Sequence, residues 1–234
     1  MPQPASPKPV PSKPEASETA AISLEVKLRP SQARGQDTYE IILNTAGEML
    51  RDIGFEQLST NKVCEKAGLT PPALYRYFPN KYAILKALAD RIMQEQDEAV
   101  FGWIADGSLV GATLEETQAK AVAIQTEIIE IVRRAPGGLA VLRAIRAVPL
   151  LQKLRFASRD NVAAHLADAL RQNYAPADWP RLELGARMMV ELLYAASEMV
   201  LEEPDRDAEA ITREACLAFT LYFASFQMDS RRLR

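Results

Sequence analysis

Histidine and cysteine are scarce in this chain, and their scarcity limits the chemistry that it can carry. The 234 residues include one histidine, His165, and two distant cysteines, Cys64 and Cys216. None of them has the spacing of a metal site or of a nucleophile beside its base. A phosphate-binding glycine loop and a Gly-x-Ser-x-Gly motif are also missing. We therefore expect no metal, no cofactor and no enzymatic activity, and two reduced cysteines that serve only in packing.

A strongly basic charge and a long apolar run are missing as well. The 28 Lys and Arg residues face 31 Asp and Glu residues, so the formal net charge is −3. This balance excludes a purely electrostatic coat on DNA but permits a small DNA-reading domain. No apolar run approaches the roughly 18 residues of a membrane span, and the N-terminus has no apolar core of a secretion signal. We expect a cytoplasmic protein with no membrane partner.

The first 33 residues contain no glycine but seven of the 15 prolines. Such a stretch buries little apolar area, so residues 1–33 are predicted to form a disordered, proline-rich tail. Residues 22–28, ISLEVKL, alternate like a short strand, although no second strand is available to pair with them. Basic residues at the end of the tail leave a DNA-contacting arm open, but a solvated linker is the commoner case.

From Asp37 onward the apolar residues recur at helical spacing, which predicts an all-α protein. About nine helices are expected, over 37–53, 61–67, 71–78, 81–104, 113–134, 139–148, 150–173, 180–202 and 207–227. The last two are apolar on nearly every side, which indicates burial against the rest of the chain and against a two-fold partner. The side chains predicted for that dimer interface are Leu192, Met199, Phe219, Phe223 and Phe226.

The third helix begins with two consecutive prolines, which would disrupt the interior of a helix. With Thr70 as N-cap, Pro71 and Pro72 occupy the first two helical positions, whose N–H groups have no partner inside the helix. The prolines therefore start the helix and remove two donors that could bind a phosphate. Contacts made by this helix should depend on its side chains.

Residues 41–85 resemble the TetR family of bacterial repressors over about 50 residues. The resemblance is carried by Gly54-Phe55, Ser59-Thr60, Ala67-Gly68-Leu69-Thr70, Leu74-Tyr75, Tyr77-Phe78 and Lys81. It implies a helix-turn-helix domain over 34–85 and a ligand-binding and dimerisation domain over 86–234. Pro72 departs from the family, which often has glycine there, and this puts any backbone contact at that position in doubt.

The resemblance implies a homodimeric regulator, released as a repressor from a pseudopalindromic double-stranded DNA operator by a small effector, and the enrichment in leucine, methionine and aromatic residues indicates a hydrophobic one. Five side chains are expected to hold the DNA backbone: Thr60, Thr70, Tyr75, Tyr77 and Lys81. Arg76 and the edge formed by Pro71, Pro72 and Ala73 are expected at or near the bases, and Asn61 completes the predicted DNA-binding set.

The effector site is predicted from side chains that combine an apolar body with a polar or adaptable end. The candidates are Trp103, His165, Met188, Met189, Tyr194 and Tyr222, although such a stripe more often forms core or dimer interface. Two alternatives to a DNA-reading regulator stay open at this stage. One is a dimeric helical protein that binds a small molecule without reading DNA, and the other is a small all-α enzyme.

Overall fold

The structure is a computed structural model that describes residues 22–28, 33–107 and 111–232. Within these ranges it contains nine α-helices and no strand, which confirms the predicted all-α class. The helices are α1 Ala33–Gln57, α2 Thr60–Ala67, α3 Pro71–Tyr75, α4 Lys81–Ala105, α5 Leu114–Arg134, α6 Gly138–Ala147, α7 Gln152–Arg171, α8 Trp179–Glu202 and α9 Ala208–Arg232. Short 3₁₀ turns at Pro149–Leu151 and Pro176–Asp178 precede α7 and α8.

Local side-chain chemistry sets several helix boundaries where the sequence predicts them. Gly54, with φ of 73°, interrupts the helical backbone of α1 in a conformation that favours glycine. Asn80 Oδ1 accepts a hydrogen bond from Ala83 N–H at 3.0 Å and thereby caps the start of α4. Thr113 Oγ1 does the same for α5, accepting from Glu116 N–H at 3.1 Å.

Two groups of buried apolar side chains hold the helices together. The first joins α1–α4 to α6 and includes Cys64, whereas the second joins α5 and α7–α9 and includes Cys216. Both cysteines are buried and unpaired, as their spacing predicts. The domain boundary predicted after residue 85 falls inside α4, because this single helix of 25 residues packs against both groups.

The backbones of α1 and of the turn between α5 and α6 approach each other without intervening side chains. A Cβ atom built on Gly47 would lie 2.3 Å from Pro136 O, and one built on Gly137 would lie 1.9 Å from Gly47 O. Because these are backbone atoms, they cannot rotate away as a side chain could. Gly47 and Gly137 therefore form a close joint between the helix-turn-helix segment and the helices that follow it.

Candidate functional site

The corner between α2 and α3 is fixed by hydrogen bonds at both ends of α2. Ser59 Oγ accepts from Lys62 N–H at 3.3 Å at the start of the helix. Gly68, with φ of 65°, ends it, and Leu69 N–H donates to Cys64 O at 2.9 Å. The side chains buried beneath the corner include Val63, Cys64, Leu74 and Phe78. The opposite side of α3 is consequently left at the surface.

The helix α3 begins at the two prolines but spans only Pro71–Tyr75 instead of reaching Phe78. Thr70 precedes it with an extended backbone, yet the predicted hydroxyl cap is wrong, because the Thr70 side chain makes no capping bond. Its backbone carbonyl instead accepts from Ala73 N–H at 3.0 Å and from Leu74 N–H at 3.3 Å. Since the prolines carry no N–H, this first turn presents side chains rather than backbone donors.

Tyr75 and Arg76 form the exposed edge of this corner. The Tyr75 and Thr60 hydroxyls lie 2.9 Å apart in a hydrogen bond that joins α3 to the start of α2. The Tyr75 side chain stays 39% exposed, so the bond fixes the ring without burying it. Arg76 is exposed and forms no ion pair with the described residues, and Asn61 is exposed on α2. These four side chains can therefore meet a molecule that approaches the corner.

Tyr77 is placed differently from its prediction as a contact to the DNA backbone. Because α3 ends at Tyr75, Tyr77 lies in the following turn and its ring faces the core, with 4% of the residue exposed. The ring meets Tyr39 edge-on, with 6.1 Å between the ring centres. The structure thus gives Tyr77 a packing role, and its ring is not at the surface where the predicted contact to the DNA backbone would be made.

Lys81 connects the start of α4 to the end of α1. Its Nζ donates to Phe55 O at 3.0 Å and to Glu56 O at 3.4 Å, and lies 4.4 Å from the centre of the Phe55 ring. A lysine is favourable beside helix carbonyls that have lost their partners. The contact of Lys81 with a DNA phosphate stays a prediction. It would use the same ammonium group that bonds the carbonyls at the end of α1.

Residues 22–28, predicted to belong to the disordered tail, are packed against the helix-turn-helix segment. Lys27 N–H donates to Tyr77 O at 2.8 Å, and Asn80 Nδ2 donates to Ser23 O at 2.8 Å. Leu24 and Val26 lie partly buried on the first core. The alternating pattern places these two side chains on one face, so the segment covers the turn between α3 and α4. The rest of the predicted tail lies outside the described residues, apart from Ala33.

Replacing Leu24 and Val26 together by alanine should lower the free energy of unfolding by about 1–2 kcal/mol, since partly buried apolar area is lost. The matched double variant replaces Ile22 and Leu28, which flank this pair in the segment but are 47% and 39% exposed. It should change stability by less than about 0.5 kcal/mol. Urea unfolding followed by circular dichroism provides the comparison. Equal effects of the two double variants would mean that the segment does not pack as described.

A cavity of about 70 Å³ lies between α4, α5, α7, α8 and α9. Its walls are mainly apolar and include Val100, Ile124, Ile128, Leu166, Leu193 and Phe219. This space would hold two or three water molecules, at about 30 Å³ each. A drug-sized ligand needs roughly 300–1,000 Å³, so binding one here would require the surrounding helices to move apart.

One end of this cavity is polar and hydrogen-bonded. Gln125 Nε2 donates to Leu193 O at 2.8 Å and to Ser197 Oγ at 2.6 Å, across the gap between α5 and α8. Burial raises the pKa of the Asp97 carboxyl to about 6 and that of the Tyr194 hydroxyl to about 12. At neutral pH the carboxyl is therefore mostly ionised, while the tyrosine keeps its proton.

Of the six side chains predicted to bind an effector, only Tyr194 lines this cavity. Trp103 instead packs on the second core and donates from Nε1 to Glu127 Oε2 at 3.0 Å. His165 lies at the surface of α7, where its Nδ1 donates to Asn161 O at 2.8 Å. The polar groups that do line the cavity, Gln96, Asp97, Gln125 and Ser197, were not among the predicted residues.

The aromatic residues of α9 belong to the core of the chain, which corrects their assignment to the dimer interface. Phe219, Phe223 and Phe226 are buried in the second core because this face of α9 packs towards the neighbouring helices. The Tyr222 ring lies against Gly185 of α8, where a Cβ atom would be only 2.3 Å from it. A side chain on Gly185 would push the ring away, so α8 and α9 pack closely here.

An apolar stripe remains exposed along α8. Leu184 is 63% exposed and Met188 is 55% exposed, while Met189 is partly buried on the second core. The stripe continues with Leu192, four residues after Met188, and with Met199, seven residues after Leu192. Both are predicted to lie in the dimer interface. Leu221 adds an exposed apolar side chain on α9. This surface, and not the phenylalanine face, is the part of the helix pair available to a second copy.

Among the described residues, no group of histidine, cysteine, aspartate and glutamate side chains is arranged to hold a metal ion. In the same part of the chain, no helix combines the length and the apolar character that crossing a membrane requires.

Two family models match separate parts of the chain. Residues 42–88 match the model described as bacterial regulatory proteins of the tetR family. Residues 119–222 match the model described as a tetracyclin repressor-like C-terminal domain. The first match covers the corner and the start of α4, and the second covers most of the helices that surround the cavity.

Individual known proteins show the same division. The class C tetracycline repressor of Escherichia coli is 44% identical over 54 residues, which are 23% of this chain and 25% of the repressor. The chain thus spans only a quarter of that relative. The regulator UidR of Escherichia coli K12 is 25% identical over 198 residues, covering 80% of this chain and 90% of UidR. A solved complex of SmeT with triclosan shares the fold, with a TM-score of 0.55 at 19% identity, over 80% of this chain and 91% of SmeT.

Proposed function

We propose that this chain, which belongs to the TetR family of bacterial regulatory proteins, is a ligand-responsive, DNA-binding transcriptional regulator. The observation that carries the proposal is the exposed edge of the corner. There Tyr75 is held outward by its hydrogen bond to Thr60, and Arg76 stands free of ion pairs with the described residues. A short exposed helix followed by a positively charged side chain without an ion pair among the described residues is suited to entering the major groove of DNA.

The side chains divide into two proposed roles. Thr60, Thr70, Tyr75 and Lys81 would bind phosphates and set the position of the corner on the duplex. Arg76 would contact base edges, with the exposed Pro71–Ala73 edge and Asn61 lying nearby. Because the first turn of α3 starts with prolines, these contacts would come from side chains more than from backbone N–H groups.

We propose that the regulator acts as a two-fold dimer on a pseudopalindromic operator. The stripe of exposed Leu184, Met188 and Met199 with partly exposed Leu192 supports this, since an apolar surface of this kind is favourable when a second copy covers it. Each copy would then place one α3 in one half-site, and the spacing of the two α3 helices would select the spacing of the half-sites.

Binding of an effector would release the DNA through α4. Gln96, Asp97 and Val100 line the cavity, and Lys81 at the other end of the same helix follows α3 after a short turn and bonds the end of α1. The distance along the helix from Lys81 to Asp97 is about 24 Å at 1.5 Å per residue. An effector that enlarges the small cavity would tilt this rod and lower operator affinity, provided that it binds the non-DNA-binding form better. The SmeT complex with triclosan is consistent with a hydrophobic effector. A repressor role agrees with the name of the class C tetracycline repressor.

We propose no enzymatic activity for the chain, since the relatives that it matches are transcriptional regulators. Its place of action would be the cytoplasm, where the DNA is.

Binding of the protein to the DNA upstream of its own gene tests the proposal. We expect fluorescence anisotropy to show binding that weakens by orders of magnitude between about 50 and 200 mM salt, as phosphate contacts require. A scrambled fragment of the same length and composition serves as the control and should bind much more weakly. Affinity that does not respond to salt, together with no preference for the upstream fragment, would favour a helical small-molecule-binding protein that does not read DNA.

A further inference from the structure

The polar end of the cavity contains an acceptor atom with no hydrogen-bond partner among the described residues. Gln96 is 3% exposed, and its Nε2 donates to Ile128 O at 3.3 Å. A carbonyl can only accept, so this bond fixes which end of the amide faces which way. The Gln96 Oε1 atom is left buried and unpaired. Keeping such an atom in a core costs stability unless something donates to it.

The next residue along α4 adds a negative charge at the same place. Asp97 lines the cavity beside Gln96, and Ser158 Oγ donates to its Oδ1 at a long 3.4 Å. Burial is the main cause of its raised pKa, while Ser158, Asn161 and His165 partly offset it. A carboxylate whose ionisation is opposed by burial gains most from a further donor or cation.

Two arginines of α7, Arg155 and Arg159, lie near Gln96, but neither lines this cavity. Arg159 stacks 4.4 Å from the centre of the Tyr194 ring, and its guanidinium pairs with Glu191 and, at 3.7 Å, with Glu198. Its charge is thus offset by these two carboxylates. The Gln125 amide N–H that lines the cavity is already bonded to Leu193 O and Ser197 Oγ. Gln96 Oε1 and the Asp97 carboxylate are therefore the acceptors that α4 offers to a ligand, beside the Tyr194 and Ser197 hydroxyls.

We propose that the cavity takes a cationic amphiphile, whose protonated nitrogen donates to Gln96 Oε1 and to the Asp97 carboxylate while its apolar body lies among Val100, Ile128, Leu193 and Phe219. The inference rests on the proposed function, because it names the chemical class of the effector that this regulator would bind. Both acceptors belong to α4, so the cation would act directly on the helix that adjoins α3. A charge-assisted hydrogen bond is worth about ten times or more in affinity over its neutral counterpart.

Three probes with one apolar body and different head groups test the proposal: benzylamine, benzyl alcohol and benzoate. Isothermal titration calorimetry on the full chain at neutral pH, without DNA, should give an affinity for the amine at least about tenfold above that for the alcohol. Benzoate should bind most weakly, because it would place a second negative charge beside Asp97. The naphthylmethyl homologues repeat the series with a larger body. Equal affinities, preference for the acid, or no binding in either series would overturn the proposal.

Two variants of the cavity and one control variant outside it locate the preference. Asp97→Asn should reduce the preference for the amine over the alcohol to less than about threefold, whereas Glu98→Gln, which removes a charge from the exposed next residue, should leave it unchanged. Gln96→Leu should weaken both the amine and the alcohol without lowering thermal stability, because the unpaired Oε1 is removed with the amide. An equal loss of preference in Glu98→Gln, or a preference that survives in Asp97→Asn, would place the cation elsewhere.

DNA binding by the unchanged protein, measured without any probe, separates this inference from the proposed function. A chain that retains its upstream DNA but shows no preference for the amine would refute the cationic effector alone. A protein that prefers the amine but does not bind its upstream DNA would refute the proposed regulatory function and would still support the proposed cation-binding site.

Discussion

Replacing Gly137 by alanine is expected to lower the free energy of unfolding by about 2–5 kcal/mol, although it adds a single methyl group. Gly137 has φ of 66°, where a Cβ atom is unfavourable in any surroundings. In addition, that atom would lie 1.9 Å from Gly47 O, so α1 and the α5–α6 turn would have to separate. Because a domain is stable by only about 5–15 kcal/mol, the loss should be clear in urea or thermal unfolding.

Gly68→Ala is the matched control for this experiment. Gly68 has nearly the same φ, 65°, but no described atom lies within 4 Å of the position that a Cβ atom would take. Its replacement should cost only the left-handed backbone, about 1–2 kcal/mol. The difference between the two variants measures the close approach of Gly47 and Gly137. If Gly137→Ala were no more damaging than Gly68→Ala, the two segments would not be in tight contact.

The sequence predicts the helices well because their boundaries depend on neighbouring residues. Asn80 and Thr113 each cap a helix within four residues of chain, so the pattern alone locates the start. Gly47 is the opposite case. In the sequence it only weakens α1, whereas in the fold its missing side chain admits the turn at Pro136 and Gly137. A contact between segments about 90 residues apart leaves no local pattern in either of them.

The recognition corner shows the same limit at shorter range. Consecutive positions in a helix differ by about 100°, which correctly predicts that Leu74 is buried while Tyr75 and Arg76 are exposed. The reasoning fails at Tyr77, because α3 stops at Tyr75 and the turn directs the next aromatic ring inward. The resemblance to a family supplies a register of residues, but it does not supply the length of this particular helix.

The cavity was missed because the sequence does not distinguish a buried polar residue from an exposed one without the helix register. Ile92, Gln96 and Val100 follow one another at four-residue steps, so Gln96 falls on the buried stripe of α4. A glutamine on the buried stripe of a helix is the feature of the sequence that indicates a polar group inside the core. Aromatic or thioether character, which predicts the six effector residues, is equally suited to core packing, and Phe219 both packs in the second core and lines the cavity.

Replacing Arg76 by alanine is expected to lower operator affinity by about 30-fold or more. A base contact by arginine is worth about 1–3 kcal/mol, and a two-fold dimer loses the contact in both half-sites. The Arg76 side chain is exposed and pairs with no described carboxylate, so its removal should leave the fold unchanged. Fluorescence anisotropy with operator variants measures the loss, and circular dichroism verifies that the helices persist.

The pattern of loss across sequences decides which atoms Arg76 contacts. If it reads a base, Arg76→Ala should lower affinity for the preferred operator most and reduce the discrimination at one position of each half-site. If it binds a phosphate, the loss should be uniform and the salt dependence should become shallower by about one unit per half-site. Arg206→Ala removes another exposed guanidinium, which pairs with Glu203 in the turn between α8 and α9, and should change affinity less than about threefold. Equal losses in the two arginine variants would show that overall charge, rather than contact by α3, determines binding.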